Sequence, residues 1–173
     1  MTPVDYYEQL MIAAAESKST RVSKTPIKKV TSLNRDVPLR TLLRAAIQNE
    51  PDAPNTKYVS IHRLALGNLD DGTTALNAFT KTKIPGQEVR LYNQQIYCLP
   101  AGYGKSIIKA PGVVVTCNCP RWMFMWEVAC FRHGCADIVY SNGQAPVQTN
   151  PTMRLGTCKH LIRVMSTVVS RSL

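Results

Sequence analysis

Acidic residues are scarce in this chain of 173 residues: 11 Asp and Glu stand against 21 Lys and Arg, for a formal net charge of +10. Such a surface attracts acidic partners, whether nucleic acid, phosphates or an acidic protein face, and the sign alone does not choose among them. Long apolar runs are missing as well. No stretch reaches the roughly 18 consecutive apolar residues of a membrane span, so no membrane partner is expected. The opening MTPVDYYEQL carries Asp5 and Glu8 where a signal peptide would be basic, which predicts synthesis and retention in a cytoplasm. With 18% charged and 45% hydrophobic residues the chain has too little charge to be wholly disordered and enough apolar surface for a core. Its length suits one domain with an appendage and excludes a large multidomain enzyme.

Catalytic signatures are also lacking. Neither a Ser/His/Asp set nor a pair of carboxylates stands at a readable spacing, and no internal repeat is visible. The segment AGYGKS suggests a phosphate loop at Gly104, Lys105 and Ser106, but that pattern needs a glycine five positions before Gly104, where Leu99 stands. His62, in a β-rich stretch, and His133, near a helix end, read as structural histidines. No enzyme is expected.

What is present divides the chain into an N-terminal assembly arm, 1–50, and an α+β domain, 51–173. In the arm, Thr2, Pro3 and Asp5 form a helix start, and Val4, Tyr7, Met11 and Ala14 recur at helical spacing as far as about Ser17. Lys18 to Arg35 is basic and poor in apolar residues, an extended segment that cannot bury enough surface to order itself and therefore needs a partner. Asp36 is placed to cap a second short helix carrying Leu39, Leu42, Leu43, Ala46 and Ile47 on one face, ended by Pro51 and Pro54. In the domain, Tyr58–Leu66 and Gly112–Thr116 read as strands, Val89–Leu99 as a hairpin turning at Asn93 and Gln94, and Ala136–Tyr140 as a further strand. A helix is predicted over Arg121–His133, stopping at Gly134. Trp122 and Trp126 in it are expected to be buried one turn apart, with Met123 and Phe124 covering an adjacent face. After a loop from Ser141 to Gly156, a last helix begins near Cys158 with Leu161, Val164, Met165 and Val168 on one face.

Six cysteines in a reducing cytoplasm are better tested as metal ligands than as disulfides. Cys117 and Cys119, written CNC, and Cys158 and His160, written CKH, make a complete tetrahedral zinc set. Residues i and i+2 at a strand end point to one side, and Cys158 can face the same ion as His160 if it precedes the helix. Four unrelated core residues, or disulfide pairing in a released particle, are the competing readings. Cys98, Cys130 and Cys135 read as small buried hydrophobes, with a disulfide between the last two as the alternative.

The order Cys-x-Cys, insert, Cys-x-His, between a strand and a helix, resembles the SWIM-type zinc finger over Val113 to about Met165. That resemblance implies metal binding by Cys117, Cys119, Cys158 and His160. Here the insert, residues 120–157, is longer than usual and holds elements of its own. The stretches CNCPRWMFMWE and ADIVYSNGQAPVQTNPTMRLGTCKHL resemble small virion structural proteins of tailed bacteriophages. This implies a component of a tail, baseplate or neck, located in the virion after synthesis in the host cytoplasm, with other virion subunits as its partners. The expectation is thus one structural zinc ion in a virion protein, with nucleic-acid binding as the alternative. The basic residues are dispersed along the chain, so no recognition helix stands out.

Overall fold

The computed structural model of the protein describes residues 36–68, 72–99 and 106–173. The helix expected from Pro3, the basic segment to Arg35, and Gly104 and Lys105 lie outside these residues. The compact unit that holds the described residues begins at Leu33.

Helix α1, Leu39–Asn49, follows an N-cap at Pro38, so Asp36 is not the cap. Leu39, Leu42 and Ala46, spaced by three and four, enter the core, whereas Ile47 is 55% exposed. The helix ends at Glu50, since Pro51 disfavours helical backbone in the residue before it. Beyond its apolar contacts, Asn49 Nδ2 donates to Leu155 O at 2.8 Å. The helix is therefore built into the domain, and the boundary drawn after residue 50 moves N-terminal to it.

A 3-10 turn, Ala53–Tyr58, leads into an antiparallel meander of β1 (Val59–Asn68), β2 (Thr74–Thr82), β3 (Arg90–Leu99) and β4 (Gly112–Cys117), in the order β1-β2-β3-β4. The hairpin expected at Asn93 and Gln94 is one continuous strand, β3. The chain reverses earlier, at Ile84–Gln87, where Gln87 N–H donates to Ile84 O at 3.1 Å and Gly86 takes φ +75°. Pro85 followed by Gly86 suits the second and third positions of such a type II turn. The strand β2 has no counterpart in the expectation. Its Ala, Asn and Lys residues favour strands weakly, and its pairing with β1 and β3 along both edges supplies what local preference lacks.

One face of the sheet carries cross-strand rows Leu76–Ile96–Val115 and Ala78–Gln94–Cys117. Helix α3, Lys159–Arg171, packs over this face with Leu161, Val164, Met165 and Val168 buried, as its spacing predicts. Each such side chain contributes roughly 1.5–3 kcal/mol by leaving water. The outer edge of β4 is covered: Val113 N–H donates to Val37 O at 3.0 Å, and Val115 N–H to Cys135 O at 2.9 Å.

Between β4 and α3, residues Trp122–Trp126 form a π-helical turn that runs into helix α2, Glu127–Arg132. Gly134, at φ +77°, ends this segment as expected. Trp122 and Trp126 are both buried, but Phe124 is 69% exposed and covers nothing. The strand expected at Ala136–Tyr140 does not form. Instead the N–H groups of Val139, Tyr140 and Ser141 turn inward to the buried carboxylate of Glu127, which also accepts from Trp122 Nε1 at 3.2 Å. Peptide groups satisfied by a side chain are not available to a ladder. The fold is α+β, and no helix among the described residues is long and apolar enough to cross a membrane.

Candidate metal centre

The fold brings Cys117, Cys119, Cys158 and His160 together in one buried cluster, their ligand atoms all within 4.8 Å of one another. Each comes from a position fixed by backbone structure. Cys117 is the last residue of β4, and Cys119 lies two residues on, where Met123 N–H bonding to Cys119 O at 3.2 Å starts the π-turn. Cys158 stands outside α3 at its N-cap, in extended conformation at φ −71° and ψ 161°, and His160 lies in the first helical turn. The condition that Cys158 precede the helix is therefore met. A tetrahedral site with zinc–sulfur bonds of about 2.3 Å sets its sulfurs about 3.8 Å apart, a spacing this cluster can supply with little movement.

Groups behind the donors are oriented for thiolates and imidazole. Gln94 Nε2 donates toward Cys117 Sγ at 3.5 Å across the β3–β4 ladder, where the two residues are paired. Trp122 N–H donates to Cys119 Sγ at 3.4 Å. His160 Nε2 is hydrogen-bonded to Thr82 Oγ1 at 2.9 Å. His160 Nδ1 is buried with no hydrogen-bond partner among the described residues, which leaves it as the nitrogen available to a metal. Nε2 then carries the ring proton and gives it to Thr82, the kind of outer hydrogen bond that fixes a ligating imidazole. Tyr92 packs against the ring with centroids 4.4 Å apart.

The sulfurs compete for protons. Burial, followed by the neighbouring sulfurs, pushes the Cys158 thiol well above its ordinary range, and burial likewise pushes Cys117 up. Hydrogen bonds from Cys117 and then Cys158 hold Cys119 well below that range, against its own burial. The first negative charge of the cluster thus resides on Cys119, and a cation bound among the three would replace the shared protons.

Two ion pairs brace the surroundings. The buried carboxylate of Glu50 accepts from Arg121 Nε at 3.0 Å and from Trp126 Nε1 at 2.6 Å. Asp52 pairs with Lys159 Nζ at 2.6 Å, tying the turn after α1 to the start of α3. Burial alone would raise the Asp52 carboxyl, but hydrogen bonds from Lys159 and Asn55, with the charges of Lys159 and Arg121, hold it below its ordinary value.

Of the residues weighed from sequence, Cys98, Cys130 and Cys135 are buried free thiols outside this cluster. His133 Nε2 is bonded to Met153 O at 2.9 Å, a structural contact. Thr82, Gln94 and Tyr92 were not anticipated, since only strand pairing and packing bring them to the donors. Comparison of the chain with protein-family models, with curated proteins and with solved structures finds no match. What can be said of the centre rests on its donors and geometry: a buried Cys3His cluster able to hold a metal ion.

Proposed function

We propose that the protein is a structural component of a bacteriophage virion, in the tail, baseplate or neck, stabilised by one structural zinc ion and joined to neighbouring subunits through its N-terminal segment. The observation that carries this reading is the closed donor set. Three thiolates and one imidazole fill tetrahedral coordination, so zinc bound there keeps no open position for water and serves the fold rather than a reaction. Soft sulfur donors favour zinc over magnesium or calcium, which take oxygen ligands. The Cys-x-Cys and Cys-x-His pairs, between β4 and α3, agree with the SWIM-like order.

Support for the virion comes from the likeness of the stretches around Cys117–Glu127 and Ala136–Leu161 to small phage structural proteins. Because α1 lies in the core, the segment assigned to assembly contracts to residues 1–32. Its apolar positions Val4, Tyr7 and Met11, followed by bases dispersed among Ser and Thr, suit an acidic protein face better than a rigid phosphate groove. Quantitative mass spectrometry of purified particles tests the reading. The protein should be present at a fixed copy number, and a variant lacking residues 1–32 should keep its zinc and fold yet be missing from particles. Absence of the wild-type protein from particles, with salt-dependent binding to DNA, would make it a nucleic-acid-binding zinc protein instead.

A further inference from the structure

A surface cavity of about 210 Å³ adjoins the metal cluster, between the Ile84–Gln87 turn and the start of α3. Cys119 and His160 lie in its wall, whereas Cys117 and Cys158 do not. The centre is thus approached from one side. Its two sealed sulfurs sit against the sheet and the helix N-cap, while the two donors nearest the cavity are buried at 1% and 3% exposure. The cavity is also lined by Arg90, Arg121 and Lys159 against Asp52 and Glu88. Arg121 and Lys159 are engaged with Glu50 and Asp52, while Arg90 is exposed on the rim.

We propose that metal is loaded into and withdrawn from the Cys3His centre through this cavity, carried by small anionic chelating ligands, with Cys119 and His160 the first donors made and the first broken. The inference rests on the reading of the cluster as a metal centre. A carrier must hand the ion over donor by donor, because a free divalent cation would have to shed its whole hydration shell before meeting a buried thiolate. Cys119 suits the receiving role, being the wall sulfur and lying beside the pocket imidazole. Arg90 on the rim attracts an anionic carrier, an effect that salt should weaken.

Zinc release from the full-length, zinc-loaded protein to an excess of the anionic chelator 4-(2-pyridylazo)resorcinol tests the route, with the zinc-to-protein ratio measured beforehand. Gln87→Trp, at the exposed mouth, should slow release several-fold without changing that ratio or the melting temperature. Ser170→Trp, exposed near the far end of α3, should leave the rate unchanged. Arg90→Glu should slow release to the anionic chelator about tenfold at low salt, yet leave release to uncharged 1,10-phenanthroline unaltered. Iodoacetate present during chelation should carboxymethylate Cys119 ahead of Cys117 and Cys158. Wild-type release rates in both Gln87→Trp and Arg90→Glu proteins carrying one zinc, or alkylation of Cys117 or Cys158 first, would overturn the route while leaving the metal centre standing. A wild-type protein that takes up no metal would remove the centre itself and the route with it.

Discussion

Two groups of buried cysteines lie in this domain, and the hydrogen bonds around their sulfurs run in opposite directions. At Cys117 and Cys119, N–H groups of Gln94 and Trp122 point at sulfur, as suits an acceptor carrying negative charge. At Cys130 and Cys135 the sulfurs are the donors: Cys130 Sγ gives its proton to Gly156 O at 2.9 Å, and Cys135 Sγ to Cys130 O at 3.4 Å. Burial and then the Cys135 sulfur push the Cys130 thiol well above its ordinary range, so this pair stays protonated and behaves as small apolar side chains. Burial is common to both groups. What separates a metal centre from packing is the polarity of the second layer, together with a nitrogen donor that only the first group possesses.

The sharpest test of this difference is Cys158→Ser. A structural zinc contributes on the order of 10 kcal/mol or more to folding, comparable with the whole stability of a small domain. Metal content by mass spectrometry and the cooperative thermal transition should vanish together. A variant that keeps its transition without metal would place the first group with the second.

Next in size is the response to pH. With Cys119 already a thiolate and Cys117 and Cys158 protonated, binding one metal ion releases two thiol protons. Apparent affinity should therefore rise about a hundredfold from pH 7 to pH 8 and fall by the same factor in reverse. Competition against a chelator of known affinity measures the slope, and a flat profile would mean that the sulfurs are not the ligands.

Smaller effects follow from the surrounding layer. Thr82→Val keeps its shape but strips His160 of its hydrogen bond, and should lower metal affinity by about 10- to 100-fold at unchanged stoichiometry. Gly156→Ala probes the other group through its acceptor carbonyl. A Cβ there would sit 2.5 Å from Trp126 Cζ3, so chemical denaturation should show a loss of about 1–3 kcal/mol with full metal content. Least of all, Cys130→Ala should cost about 1 kcal/mol and leave zinc untouched; any loss of metal in it would erase the contrast.

How far the sequence discloses all this differs between donors and supports. The four donors could be read directly, because each pair keeps a one-residue gap at the end of an element, where a strand exit and a helix N-cap orient side chains predictably. The helices α1 and α3 were legible from apolar residues three and four apart. Three features were not. The strand β2 has weak local preference and exists through its neighbours. The turn at Ile84–Gln87 does carry the Pro-Gly signal, which the alternation farther along around Asn93 obscured. The fate of Ala136–Tyr140 depends on Glu127, whose burial beneath that loop no periodicity announces. For the same reason Thr82 and Gln94 are invisible from sequence: they reach the cluster through strand register and packing.

The π-turn at Trp122–Trp126 sets a length standard for the chain. Such a turn is an α-helix holding one residue in surplus. The surplus spaces Trp122, hydrogen-bonded to Glu127, from Trp126, hydrogen-bonded to Glu50, while Cys119 fixes the start of the count. Deleting the exposed Phe124 would return the turn to ordinary helical winding and rotate everything beyond it by about 100° per residue. Trp126 would leave Glu50 and Glu127 would leave the loop it anchors, though no buried side chain had been removed. At this point the chain tolerates a change of letter far better than a change of length.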